Sequence, residues 1–497
     1  MQTINDGKQG EYGMPKTETV TSPSLTAATR DSTTNEAGLL HYQLDREATL
    51  DPILPAPAVG YRVYKRRWFG LIQLVLLNIV VSWDWLTFSP ISRTASEFFD
   101  VSETGINWLS TGFLFAFVVV APIVVYVLHF GPKPSIVSAS VLTLIGSWIR
   151  YGGVRITGSV SARFGVVMFG QILIGFAQPF VLTAPTRYSD MWFTDRGRVS
   201  ATALASLANP FGGAIGQLVN PFWATDASKV PDTVLYTAII STLVALPAFF
   251  LPSRPPTPAS PTSSLPQTPL RNSLSILARS KPFYIILLPF AIYVALFNAL
   301  SSLLVQILAP YGLSEDEAGI AGAILIVVGL LVSALLSPLF DRLHTHLVPI
   351  KVLVPIVAAS FLAFIWAPGT RGLAAPYAVC AVLGASSFAL LPVSLEYVVE
   401  VAWPASPEVG SVVMWSAGQL LGGVFIVVMG ALKGADGEPE GSMKRGLVFM
   451  AVVACVVVPL PLMLGVRRLG LGEGTRKGRL GVDERGGSGE EGQVEEA

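Results

Sequence analysis

Asp84 is an acid well inside an apolar run of the sequence, next to Trp85. If that run crosses a membrane, an ionisable group there costs at least about 2.5 kcal/mol and needs a partner or a task. Asp84 could balance a cationic solute, take up a proton and couple transport to a gradient, or pair with a polar group on another helix. Asn78, Ser82, Trp85 and Ser89 fall at i, i+4, i+7 and i+11, one stripe at helical spacing. A polar stripe on a spanning helix turns from lipid toward a wet cavity or another helix. The ring of Trp85 could cover an ammonium group by cation–π attraction, worth about 0.5–2 kcal/mol; packing or interfacial anchoring is the alternative. Gln171, Gly175 and Gln178 share a face at i, i+4 and i+7. An amide both donates and accepts, which suits a hydroxyl or amine headgroup; a bond between helices, about 0.6 kcal/mol, is the alternative. Tyr293, Phe297, Asn298 and Ser301 offer further aromatic and polar groups. Trp415, Gly418, Gln419 and Gly422 again keep helical spacing: the glycines permit close helix approach, and Trp415 with Gln419 could complete a pocket.

Other arrangements point away from catalysis. Glu396 and Glu400 lie at i, i+4, and paired acids can serve general acid–base chemistry. They have no nucleophile, metal set or activated histidine beside them, so a cytosolic gate with Arg187, Arg196 or Arg198 is the better reading. His344 and His346 form an HxH on a turn, but a metal site needs further ligands, and these read as solvated loop residues. The two cysteines, Cys380 and Cys455, sit in apolar runs and make neither a disulfide framework nor a metal cluster. No GxxxxGK[ST] loop is present, so ATP does not drive the protein directly. Neither an enzyme nor a cofactor is expected.

The elements that must position these residues follow from composition. Of 497 residues, 52% are apolar and 13% charged, and the mean hydropathy is +0.58. A soluble domain carries about 25% charge, so a soluble globular protein is excluded. Lys plus Arg and Asp plus Glu are both 33, which removes a bulk-charge argument for nucleic acid. A spanning helix needs about 20 mostly apolar residues. Twelve such runs lie near 68–90, 105–129, 135–154, 164–188, 199–223, 233–251, 283–309, 317–340, 349–367, 374–398, 408–432 and 445–466. They should be helices, because hydrocarbon satisfies no backbone group, and continuously apolar runs are not barrel strands. In the fifth run, NPFGGAIG reads as a kink with tight packing.

Residues 1–60 and 468–497 read as disordered tails. With no signal peptide, the first helix acts as the insertion signal. Residues 252–282 form a Pro/Ser/Thr-rich linker that is expected not to pack. It separates six-helix bundles at 61–251 and 283–467. Lys and Arg near helix ends concentrate on the side carrying Lys65, Arg66, Arg67, Lys133, Arg187 and Arg254. The other side holds fewer, among them Arg93, Arg150, Arg155 and Arg163. The richer side should be cytosolic, with both termini and the linker.

Two sets of six helices joined by a polar linker resemble the major facilitator superfamily. That resemblance implies inverted repeats within each half and a solute site near the midplane between the halves. The superfamily's turn signature pairs an acid with a base: FDRLHTHLVPIK keeps Asp341 and Arg342, whereas HFGPKPS has Gly131 and Lys133 but no acid. More finely, YKRRWFGLIQ, SWDWLTFSPI, INWLS, IGSWIRYG, GQILIGFAQPFVL, MWFTDRGRVSATAL, EYVVEVAWPASPEVG and WSAGQLLGG are similar, in order, to the feline leukaemia virus subgroup C receptor family of transporters. A lysosomal branch is also similar around Trp85. The resemblance implies choline, ethanolamine, haem or a pyridoxine-like vitamin as solute. It matches Trp85 to a substrate-facing aromatic, Gln178 to a ligand-contacting glutamine and Gln419 to an amide. Asn298 stands where the family has an aromatic, so the aromatic cage is incomplete: either Tyr293 or Phe297 compensates from a neighbouring turn, or the ligand is more polar or not a quaternary amine. Asp84 stands where the family usually has a neutral amide.

The expectation is an all-α membrane protein of twelve transmembrane helices in two bundles. It moves a small polar or cationic organic solute by alternating access. Its partners are that solute and the bilayer, with no nucleic acid, the proton as a candidate coupling ion, and a monomeric state. The membrane is the plasma membrane or a vacuolar or endolysosomal one. The alternatives are a haem or vitamin exporter of the same fold, and a receptor that binds without transporting.

Overall fold

The computed structural model describes residues 62–259, 268–343, 347–402, 405–434 and 439–466. The tails, His344 and His346 lie outside the described residues, as do the side chains of Arg196, Asp341 and Arg342. Among the described residues every regular element is helical and none is a strand. The long helices are α1 (Arg66–Trp85), α2 (Glu103–Phe130), α3 (Pro132–Val154), α4 (Val160–Leu182), α5 (Asp195–Trp223) and α6 (Val230–Ala245). After the Pro-rich segment come α7 (Lys281–Leu308), α8 (Glu315–Leu343), α9 (Leu347–Phe364), α10 (Ala374–Val401), α11 (Pro407–Ala431) and α12 (Lys444–Val456).

Among the described residues, ten helical segments are long and apolar enough to cross a membrane. Helices α3 and α5 are not among them. Their polar residues face the protein interior instead: Arg150 of α3 and Gln217 and Asn220 of α5 are fully buried. Interior partners thus replace the water that hydrocarbon cannot supply.

Local chemistry sets several helix starts. Ser102, Ser159 and Ser280 each accept a backbone N–H three residues on, at 3.2, 3.3 and 3.4 Å, satisfying donors that a helix N-terminus leaves unpaired. Two runs break where continuous helices were expected. The first stops at Trp85, passes through a 3-10 turn at Ser89–Ile91 and resumes as Ser92–Phe99; Pro90 has no N–H to continue a ladder. The fourth stops at Leu182, and a separate helix, Ala184–Trp192, follows with Pro185 in its first turn. Thr183 turns its hydroxyl back to Pro179 O at 2.7 Å.

The linker also differs from expectation. Its second part folds into the helix Leu270–Arg279, which buries Leu277. Ser273 Oγ accepts the Ser406 N–H at 3.1 Å. An amphipathic ten-residue stretch had an apolar face to bury, which the surrounding Pro and Ser concealed in the composition. In NPFGG of α5, a Cβ on Gly212 would lie 1.9 Å from Ile79 O, so α1 and α5 touch backbone to backbone.

Polar links also join helices before the Pro-rich segment to helices after it. Asn107 of α2 and Gln306 of α7 exchange amide hydrogen bonds at 3.3 and 2.7 Å. Glu103 pairs with Lys433 at 2.6 Å. Glu315 accepts the Arg93 N–H at 2.8 Å and the Thr94 hydroxyl at 2.7 Å. These links gather where α1 finishes and α2 begins.

Candidate functional site

A cavity of about 80 Å3 lies among α1, α4, α5, α7, α9, α10 and α11. Of the sequence-predicted binding residues, the structure brings Trp85, Gln178, Tyr293, Asn298, Trp415 and Gln419 to its wall. Asn78 is not there. Its amide Nδ2 donates to Leu74 O and Val181 O, both at 3.0 Å, and so ties α1 to α4. Ser82 of the same stripe does reach the cavity, whereas Ser89 pairs with the Ser110 hydroxyl at 2.8 Å.

The wall is mainly aromatic. Trp85 stacks on Phe113 with ring centroids 6.4 Å apart. Phe290 meets Trp415 edge to face at 5.5 Å, and Phe297 meets Phe388 likewise at 5.4 Å. Phe290, Phe388 and Asn209 are lining residues that sequence reasoning did not single out. The two phenylalanines sit in mostly apolar runs and carry no signal of their own; Asn209, a polar residue just before Pro210, was a signal that could have been used. Among the described residues, no Asp, Glu, Lys or Arg lines the cavity.

The polar atoms of this wall fall into two classes. Tyr293 donates its hydroxyl to Ala454 O at 3.1 Å. Asn298 Nδ2 donates to Gln419 Oε1 at 2.8 Å. Helices α7 and α11 meet closely enough for this pair because a Cβ on Gly422 would lie 2.8 Å from Asn298 Nδ2. By contrast, Trp85 Nε1 and Gln178 Oε1 are buried and have no partner among the described residues. One is a donor and the other an acceptor. Buried polar groups are nearly always satisfied, so each such orphan asks for an explanation.

Asp84 is buried but lies off the cavity wall. Its carboxylate pairs with Arg150 and accepts from Ser241 Oγ at 3.0 Å and Ser147 Oγ at 3.4 Å. Arg150 was expected near the non-cytosolic end of its helix, among the outer charges; it is 0% exposed and lies inside the fold. Its guanidinium donates to Asp84 O at 2.9 Å, Gln171 Oε1 at 2.8 Å and Thr87 Oγ1 at 3.2 Å. Gln171 thus bonds between helices and does not line the cavity.

The gate candidates sit at other positions. Arg187 and Arg198 both reach Asp190, at 3.4 and 3.6 Å. Asp190 was not singled out from the sequence. Glu396 and Glu400 are half-buried on α10.

Comparison with known proteins places this architecture. The model of the Major Facilitator Superfamily matches residues 74–427. Solute carrier family 49 member A3 of Danio rerio is 32% identical over 387 residues, covering 77% of this chain and 81% of that protein. Choline/ethanolamine transporter FLVCR1 of Mus musculus is 27% identical over 438 residues, covering 80% and 77%. Among solved structures, a D-xylose-proton symporter superposes with a TM-score of 0.58 at 14% identity, over 80% of this chain and 96% of that one. A bacterial homolog of the human lysosomal transporter Spinster, inward-facing and unoccupied, gives 0.57 at 16% identity, over 81% and 97%. The apolar helices, the shared fold and the matched family describe a multi-pass membrane transporter, and the chain belongs to the Major Facilitator Superfamily.

Proposed function

We propose that this transporter carries a small organic solute bearing a hydroxyl together with an ammonium or amine group, of the choline or ethanolamine kind. The observation that carries the reading is the orphan pair, Trp85 Nε1 and Gln178 Oε1, on the wall of an aromatic cavity. A hydroxyl can accept from the one and donate to the other. The charged end then rests on ring faces of Trp85, Trp415, Phe290 or Tyr293, where cation–π attraction stands in for a counter-ion. Asn298 and Gln419, paired with each other, shape the wall from the second half. The relatives named choline/ethanolamine transporters support the same solute class.

Size argues against the haem alternative. A single water needs roughly 10–15 Å3 on the measure by which this cavity holds about 80 Å3. That suits a headgroup of a few heavy atoms, not a porphyrin.

The proposed frame is twelve spans. Helices α3 and α5 complete the ten apolar segments, giving six-helix bundles at 61–251 and 283–467, linked by 252–282 and flanked by the tails 1–60 and 468–497. Both termini are cytosolic, in a plasma or vacuolar/endolysosomal membrane, and the working unit is a monomer. Rocking of the bundles exposes the cavity alternately to each side. Glu103, Lys433 and Glu315 hold the non-cytosolic end shut. Arg187, Arg196, Arg198, Glu396, Glu400, Asp341 and Arg342 serve the cytosolic gate. With Asp84 committed to Arg150, movement down the solute gradient is the simplest mechanism; an Asp84 that takes up a proton would add coupling.

The test is uptake of labelled choline and ethanolamine by cells lacking their own transporters. Saturable uptake of either supports the proposal. Uptake undiminished by Trp85→Ala contradicts the aromatic cage. Saturable binding to proteoliposomes without flux would make the protein a receptor.

A further inference from the structure

Helix α1 ends inside the protein, at Trp85. A helix end leaves its last carbonyls without intrahelical donors, and neither hydrocarbon nor a dry interior supplies replacements. Here Thr87, whose hydroxyl donates to Asp84 O at 3.0 Å, and side chains from three other helices supply them. Asp84 O accepts from Arg150 Nη1 at 2.9 Å and from Gln171 Nε2 at 3.2 Å. Trp85 O accepts from Gln171 Nε2 at 3.4 Å. Leu86 O and Thr87 O accept from Asn220 Nδ2 at 3.0 and 3.2 Å.

Arg150 is the centre of this clamp. Its Nη1 lies within hydrogen-bond distance of Asp84 O, Thr87 Oγ1 and Gln171 Oε1, which share its two N–H groups, and its Nη2 takes the Asp84 carboxylate. An isolated charge this deeply buried would be prohibitive, so the acid beside it is required by the base. Asp84 and Trp85 are successive residues of one helix, about 100° apart. Fixing the backbone at Asp84 also fixes the point from which the Trp85 side chain leaves the helix, and Trp85 lines the cavity.

We propose that Arg150 is a positioning residue for solute binding: it holds the carbonyl end of α1, and with it the Trp85 ring, and Asp84 is its counter-charge. The proposal rests on the reading that Trp85 meets the solute. It also gives Asp84 a task that needs neither solute nor proton. A lysine cannot replace the clamp, because a point charge does not reproduce the planar fork of a guanidinium.

The experiment compares choline uptake by the full chain, Arg150→Lys, and the neutral double variant Asp84→Asn with Arg150→Met, each scaled to protein in the membrane. Arg150→Lys keeps the charge pair, and the double variant removes both charges, so neither strands a buried ion. Loss of roughly one hydrogen bond's worth of positioning predicts a KM raised about fivefold in both, with the maximal rate within about twofold of the parent. Collapsing the proton gradient should leave initial rates unchanged in all three. A parent-like KM in both variants overturns the proposal. So does a double variant that keeps its KM and loses only gradient-driven accumulation, which would make Asp84 a coupling group. If the parent carries no choline, the solute reading falls alone. Hydrogen exchange of the amides at 84–91 then decides. Exchange about tenfold faster in Arg150→Lys, with α12 unchanged, supports the clamp through local opening. Unchanged exchange overturns it.

Discussion

The two walls of the cavity spend their polar atoms differently. On the wall from α7 and α11, Tyr293 bonds Ala454 O, and Asn298 bonds Gln419. On the wall from α1 and α4, Trp85 Nε1 and Gln178 Oε1 have no protein partner among the described residues, while the backbone behind Trp85 is held by Arg150, Gln171 and Asn220. On the second-half wall the Tyr293 hydroxyl and the Asn298–Gln419 pair are bonded within the protein. On the first-half side the backbone is held while Trp85 Nε1 and Gln178 Oε1 are left without a protein partner among the described residues, and the proposed function assigns that difference to the solute. In the proposed reading the hydroxyl of the solute meets the first half, and its charged end lies against rings from both.

Four substitutions test this contrast. The largest effect should come from Asp84→Ala, which leaves Arg150 buried without its ion pair and should cost about 3–5 kcal/mol of stability. A steep fall in the melting temperature of the purified protein would show it; a parent-like value would mean that the pair is dispensable. Next, Trp85→Ala removes a ring worth about 0.5–2 kcal/mol to an ammonium, so KM for choline should rise roughly two- to thirtyfold with the protein still folded. Gln178→Ala removes one acceptor and should raise KM by about two- to twelvefold, measured in the same uptake assay. The smallest change is expected from Asn298→Ala on the opposite wall. It breaks a bond between helices worth about 0.6 kcal/mol, so it should lower thermal stability slightly and move KM by less than about threefold. A larger KM effect there than at Gln178 would invert the contrast between the walls.

Much of the fold was legible because hydrocarbon imposes one pattern on every span, and ten helices show it plainly. Helices α3 and α5 were legible as the runs 135–154 and 199–223, but they are less apolar than the other ten because they spend polar residues inside the protein. The burial of Arg150 was hidden for the same reason. In IGSWIRYG it looks like a charge near the end of a helix, and nothing local reveals the broken end of α1 that it serves. Asp84 carried the complementary signal, a buried acid in want of a partner, without naming which. Helical spacing put Asn78 on one stripe with Trp85, but Asn78 lies about two turns away along α1, and its amide bonds Val181 O instead of lining the cavity. The amides Gln178 and Gln419 were legible through their rarity in apolar runs; that one would be satisfied and the other left open depended on long-range packing.

The central claim is that the solute's hydroxyl bridges Trp85 and Gln178. Its most direct test is the binding of choline against ethyltrimethylammonium, which keeps the charge and lacks the hydroxyl, to the parent protein and to Gln178→Ala. The parent should prefer choline by about fivefold or more, one good hydrogen bond, and Gln178→Ala should lose that preference. Equal affinity of the parent for both compounds, or a preference that survives in Gln178→Ala, would contradict it.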